Sequence, residues 1–406
     1  MPTYVATGRD TLGNQKRERI SAANPGEARL LLKDQGLFIQ DLKEERGLNL
    51  DLDALKMAMT KVTVKDKAVF SRQFAALVNA GVALVRGLGV LSDECPNPKL
   101  KKALLEINSD VQQGTNLSDA MRKHPSCFDN LYVALIQAGE VGGGLDEVLN
   151  RLAKLLEDLA RLQNQIKSAM AYPVTVGILA VLIFVGMCMF LLPIFTDIFA
   201  SFDAELPAFT QMLMMISNFL RTWYNWPIMI GLFVGGSFAY NRYYATPVGR
   251  RTMDRFFLKM PLFGDLIQKT ATARFSRTFG SLSRSGVPIL TSLEIVRDTA
   301  GNQIIADAVD EARQEIQTGG MISIALQKHK VFPVMAIQMI SIGEETGELD
   351  GMLMKVADFY EDEVEQAVKA LTSIMEPIMI LVLGGMVGSI LVGMYLPIFK
   401  LMDVVK

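Results

Sequence analysis

The residues able to do chemistry are few. The 406-residue chain has two histidines, His124 and His329, and three cysteines, Cys95, Cys127 and Cys188. The histidines occupy matching places in a sequence that occurs twice. They read as helix-end residues, with a pH-sensitive contact as the alternative. The cysteines lie far apart without a CxxC, which fits a reducing compartment and no structural disulfide. Gly142-Gly143-Gly144 resembles a phosphate cradle, but no Lys-Ser/Thr follows it. The matching positions are Thr346-Gly347-Glu348, and a carboxylate repels phosphate. The simpler reading is a tight inter-helix turn in which one glycine is kept in both copies. GxxxxGK[ST], HExxH, GxSxG and zinc-spaced Cys/His sets are all missing from the sequence. The expectation is a protein that is not an enzyme and holds no cofactor.

The carboxylates Glu140, Asp146, Glu344 and Asp350 are more informative. They fall in paired stretches, Gly139-Glu140…Leu145-Asp146 and Gly343-Glu344…Gly347…Leu349-Asp350. Asp146 and Asp350 open long helical patterns, where a negative charge suits the positive helix end. A salt bridge to a partner, or a weak divalent-cation site using Glu140 or Glu344, stays open beside that reading.

These residues belong to a duplication. Residues 70–195 return as 275–399, so Phe70-Ser71-Arg72 matches Phe275-Ser276-Arg277, and Gly81-Val82 matches Gly286-Val287. Each copy begins polar and ends apolar, at Leu192-Pro193-Ile194-Phe195 and Leu396-Pro397-Ile398-Phe399. Phe70, Phe74, Leu77 and Val78 form one helical stripe. Helices are expected near 84–94, 98–112, 117–123 and 129–139. Gly81 and Gly286 stand where the first helix must stop in a left-handed turn. From Leu145 an apolar stripe runs into the apolar segment with only Pro173 as a break. If 145–192 is one kinked helix it is about 70 Å long. The second copy repeats this from Leu349 through Pro377 to Pro397.

Half of the chain is hydrophobic and the mean hydropathy is +0.26. Residues 168–196, 222–241 and 377–399 carry no charged side chain. Each is long enough to cross a hydrocarbon core of about 30 Å. Transmembrane helices are expected at 173–193, 223–243 and 377–397. Lys154, Arg161 and Lys167 precede the first, and Arg242, Arg250, Arg251, Arg255 and Lys259 follow the second. That asymmetry puts the N-terminus inside, 194–222 outside and 244–376 inside. An odd number of spans then puts the tail 398–406 outside. Residues 206–220 carry no charge from Leu206 to Leu220 but are short for a span. They lie on the outer surface as an amphipathic helix, or lengthen the second span. No signal peptide is expected, because residues 1–10 lack an apolar run. Mid-membrane charge is missing, which disfavours an ion pump or proton-coupled transporter. Glu376, whose counterpart is Tyr172, sits at the inner edge of the third span. It reads as an interfacial residue or as a contact to a cationic membrane partner. The glycines around Gly384 and Gly388 favour close helix packing. A formal charge of −2 excludes nucleic acid as a natural partner.

The fold expected is an all-α membrane protein. It has two homologous cytosolic six-helix bundles (61–172 and 244–376), three spans and a small α+β unit at 1–60. In that unit, strands around Tyr4-Val5-Ala6, Ile20 and Leu37-Phe38-Ile39 flank a helix begun by Asn24-Pro25. Residues 44–62 read as a charged linker or a mobile amphipathic segment.

Gln165-Ile166, Ala169-Met170, Tyr172-Pro173 and Leu191-Leu192-Pro193, with the paired Gly-Glu…Leu-Asp stretches, resemble the signature of the type II secretion F / type IV pilus PilC family. The likeness covers essentially the whole chain. Glu376 in place of a tyrosine, and Gly144 opposite Glu348, are departures between the copies. The resemblance implies a bacterial inner-membrane platform that works with a cytosolic hexameric assembly or retraction ATPase. It also implies pilin or pseudopilin subunits, other inner-membrane assembly proteins and a homo-oligomer.

Overall fold

The computed structural model describes residues 3–9, 15–21, 24–26, 29, 38–44, 60–194 and 207–404. The chain divides into two compact units, Met1–Lys61 and Val62–Lys406.

In the first unit, β1 (Thr3–Arg9), β2 (Gln15–Ser21) and β3 (Phe38–Glu44) form an antiparallel sheet in the order β2-β1-β3. Tyr4 stands opposite Ile20 on one side and Glu44 on the other. The register shifts between Thr7 and Gly8, where a glycine tolerates a bulge. Pro25 and Gly26 are helical, as the Asn-Pro start requires. The expected buried face at Ala28, Leu31 and Leu32, the stop at Gly36 and most of the linker lie outside the described residues.

The second unit is helical because its sequence supplies caps and stripes at each turn. The first copy comprises α1 (Val64–Asn79), α2 (Leu84–Glu94), α3 (Pro98–Gln112), α4 (Leu117–Arg122), α5 (Asn130–Gly142) and α6 (Leu145–Gly186). Thr63 and Asp66 close a reciprocal capping box on α1, with Asp66 N–H donating to Thr63 Oγ1 at 3.1 Å. Asn97 caps α3 with Pro98 at its first turn. Then come a π turn (Met187–Leu191), α7 (Ala208–Arg221), α8 (Asn225–Tyr244) and α9 (Pro247–Lys259). The second copy is α10 (Phe263–Arg284), α11 (Ile289–Thr299), α12 (Gln303–Gln317), α13 (Ile322–His329), α14 (Val334–Thr346) and α15 (Leu349–Val404). Asn302 caps α12 as Asn97 caps α3.

The core follows the stripes. In the first copy Phe70 stacks on Phe74, and Phe128 meets Phe70 and Tyr132 edge to face, the latter with ring centres 4.8 Å apart. Phe275, Phe279 and Phe332 repeat the cluster in the second. Both sets belong to one continuous buried cluster. α6 runs through Pro173 and α15 runs through Pro377 and Pro397. At about 1.5 Å per residue α15 is about 80 Å long.

Among the described residues, two helical stretches are long and apolar enough to cross a membrane, Leu145–Ile194 and Leu349–Leu396. α8, at the expected second span, buries none of its residues. Two expectations need correction. Residues 206–220 do not lengthen that span, because α7 ends at Arg221 and α8 starts afresh at Asn225. α5 also outlasts its expected end at 139, because its left-handed stop is Gly143.

Candidate functional site: the repeat motifs and the seam between copies

The paired Gly-Glu…Leu-Asp stretches build helix junctions. Each glutamate reaches back to cap a short helix that has no side-chain cap of its own. Glu140 accepts from Leu117 N at 2.6 Å and Ser118 N at 3.2 Å, and Ser118 Oγ donates to it as well. Glu344 accepts from Ile322 N at 2.6 Å and Ser323 N at 3.0 Å. A carboxylate at these exposed amides also meets the positive helix end. In the structure both carboxylates act as helix caps. Among the described residues no group of three His, Cys, Asp or Glu could hold a metal.

The glycines have separate reasons. A Cβ on Gly139 would stand 3.1 Å from Leu145 Cα, and one on Gly343 would stand 2.9 Å from Leu349 Cα. A glycine at each position lets the two helices approach this closely without a shift of the backbone. Gly143 and Gly347 end α5 and α14 at φ +72° and +76°, so the glycine kept in both copies is the left-handed one. Gly81 and Gly286 both have φ +78°. Leu145 and Leu349 pack against the core, and Asp146 and Asp350 lie in the first turns of α6 and α15. His124 follows α4, and His329 ends α13. Each faces the glutamate at the matching position, Glu106 and Glu311.

The seam between copies was not visible in the sequence motifs. Arg72 Nε donates to Glu157 at 2.7 Å, and the matching Arg277 Nε donates to Glu361 at 2.8 Å. The first pair is open to solvent, whereas the Arg277 side chain is only 5% exposed. α6 of the first copy covers it. Arg161 bonds Glu361 at 3.1 Å, Asp158 lies 3.9 Å from Arg277, and Gln165 donates to Glu365 at 3.4 Å. Leu162 packs with Val364, Val368 and Leu371 beside these charges. Burial lowers the Arg277 pKa, but hydrogen bonds to Glu361 and Asp358 outweigh it and the guanidinium stays charged. Burial raises Asp158, with Arg277 offsetting part of the effect. In the first copy the equivalent face is an open groove of 680 Å³ flanked by Arg72, Glu157, Ala160 and Asn164. A signal was present: Arg72 and Glu157 recur as Arg277 and Glu361.

At the apolar ends, Tyr172 and Glu376 are both exposed, Pro173 is buried and Pro377 is exposed. Pro193 and Pro397 both lie inside helix.

The family model for type II secretion system protein F matches residues 70–193 and again 275–397, and its N-terminal domain model matches residues 1–43. The chain belongs to the type II secretion system protein F family. Its two matched segments coincide with the two copies. The chain is 44% identical to the type IV pilus assembly protein PilC of Thermus thermophilus, over 99% of this chain and 98% of that one. It is 41% identical to PilC of Myxococcus xanthus over 97% and 94%. It is 31% identical to the type II secretion system protein F of Xanthomonas campestris over the full length of both. Members of this family therefore carry both pilus-assembly and secretion names.

Proposed function

We propose that this chain is the inner-membrane platform of type IV pilus assembly. It couples a cytosolic hexameric ATPase to insertion or extraction of pilin subunits, and is itself no enzyme. The observation that carries the reading is full-length likeness to pilus-assembly PilC proteins at higher identity than to secretion proteins. The continuity of α6 and α15 supports it, since each joins a soluble helical copy to an apolar stretch without a hinge loop.

In this reading the spans are 173–193, 223–243 and 377–397. The two six-helix bundles at 61–172 and 244–376 face the cytosol, as does the unit at 1–60. The connection 194–222 and the tail 398–406 lie outside. Positive residues flanking the first two spans on one side favour that orientation. The Gly-Glu…Leu-Asp junctions fix the bundles rigidly at the roots of α6 and α15. The chain works as a homo-oligomer with other inner-membrane assembly proteins.

Co-purification with the assembly ATPase tests the coupling. Binding is expected in the full chain and lost when residues 60–170 and 270–370 are removed together. Binding that survives removal refutes the role of the bundles. Reporter fusions at Asp203 and the C-terminus are expected on the outer side, and a cytosolic signal at Asp203 refutes the topology.

A further inference from the structure

α7 is built inside out for a helix in water. It buries Thr210 and Ser217, at 3% and 0% exposure, beside Leu213 and Leu220. It exposes Met212, Met215, Ile216 and Phe219. Small hydroxyls turned inward and large apolar groups turned outward are the pattern of a helix in hydrocarbon.

The two hydroxyls have specific acceptors. Ser217 Oγ donates to the Cys188 carbonyl at 2.5 Å, and Thr210 Oγ1 donates to the Gly393 carbonyl at 2.8 Å. Both carbonyls lack the amide that a helix would normally offer. Leu192 N–H reaches back five residues to Met187 in the π turn. In that register Cys188 would receive from residue 193, which is proline. In α15 the ordinary register would give Gly393 the amide of residue 397, which is also proline. Pro193 and Pro397 occupy matching repeat positions. Their two orphaned carbonyls are thus met by two hydroxyls seven residues apart on one face of α7. Gly393 has no Cβ, and one there would lie 2.4 Å from Leu213 Cδ1.

Depth follows from the repeat. Gly393 matches Met189, one residue from Cys188, so the two carbonyls stand at nearly one height. Counted from 173 and 377 at about 1.5 Å per residue, both lie about 23 Å into a core of about 30 Å. We infer that α7, part of the connection on the outer side, is a clasp that dips into the outer half of the hydrocarbon and lies roughly in the membrane plane. Thr210 and Ser217 there complete the carbonyls orphaned by Pro397 and Pro193, and Met212, Met215 and Phe219 meet lipid acyl chains. The lipid part rests on the topology proposed above and the clasp part does not.

A double-mutant cycle on the detergent-purified full chain tests the clasp. Thr210→Val should lower Tm by about 2–4 °C. In a Pro397→Ala background, which restores the amide to Gly393, the same change should lower it by less than half as much. Equal losses in both backgrounds overturn the clasp. If Pro397→Ala does not fold, Ser217→Ala against Pro193→Ala gives the same cycle. For lipid contact, a nitroxide at M215C is read in liposomes, with the native cysteines replaced. Oxygen should broaden its spectrum and a water-soluble nickel chelate should not. Strong broadening by nickel, or protection from both, overturns the lipid contact. A label at I380C on α15 is the control. If it too meets nickel, the membrane reading itself has failed.

Discussion

Arg72–Glu157 and Arg277–Glu361 are one contact made twice, in two different settings. The first ties α1 to α6 in solvent. The second ties α10 to α15 beneath α6 of the other copy, among Asp158, Arg161 and Val364. The duplication kept the pair, and the packing of one copy on the other changed its surroundings. The interface is one-sided. The first copy gives a helix to cover the second, and its own equivalent groove stays open. Two copies of one sequence have therefore become a buried half and a presenting half.

The largest expected effect breaks this difference directly. Arg277→Ala leaves Glu361 without its main partner at a covered seam and should cost about 3–5 kcal/mol. Arg72→Ala removes an exposed pair and should cost about 0–1 kcal/mol. Denaturant unfolding of the two full-length variants in one detergent measures the contrast. Similar costs would mean that α6 does not seal the second pair.

Next come the junction glycines. A Cβ at Gly343 meets backbone at 2.9 Å, and one at Gly139 meets it at 3.1 Å. Gly343→Ala and Gly139→Ala should each cost about 1–3 kcal/mol from overpacking, with Gly343 the larger. Thermal melting of both variants checks the order. Gly347→Ala tests a different mechanism, since its strain comes from φ +76° and no Cβ contact lies within 4 Å.

A smaller contrast lies in the cores. Ser71 Oγ and Tyr132 Oη are 2.9 Å apart and buried. In the second copy Ala336 stands where Tyr132 stands in the first, and Ser276 Oγ has no hydrogen-bond partner among the described residues. Ser71→Ala should cost about 1 kcal/mol or more, because it leaves the Tyr132 hydroxyl unmet. Ser276→Ala should be neutral or slightly stabilising. A Tm loss in the second equal to that in the first would mean that Ser276 has a partner after all.

Much of this was readable from local pattern. The stop glycines, the helix start at Asn24-Pro25 and the helical run from Leu145 through Pro173 each depend on residues within a few positions. Glu140 and Glu344 stood out in the sequence as paired repeat residues, but their role did not. Their first partners lie 23 and 22 residues back, so no local spacing shows that each caps another helix. The seam was hidden for the same reason on a larger scale. Asp158 and Arg277 are distant in sequence, and the burial of one arginine but not its twin follows from packing. For α7 the charge-free run leaves the inward face open in the sequence, and the acceptors of Thr210 and Ser217 show it.

The finest contrast sits on adjacent residues of α6. The hydrogen bond from Arg72 holds the Glu157 carboxyl below the usual range, against a smaller opposing effect of burial. Burial raises Asp158, and Arg277, Arg161 and Lys154 only partly offset burial and the neighbouring Glu361. The signs are opposite. Glu157 contributes stability that is present above its unfolded value near 4.5 and is lost as pH falls through its lower folded value. Asp158 is penalised while charged, and that penalty disappears as pH falls through its raised folded value. Glu157→Gln should therefore cost stability at pH 7 and cost less as pH falls toward 3. Asp158→Asn should lose most of whatever advantage it has at pH 7 once the wild-type carboxyl is protonated. Melting curves of the two variants and the parent between pH 3 and pH 7 separate them. Parallel profiles would show that residues 157 and 158 share one environment, and the seam would not lie between them.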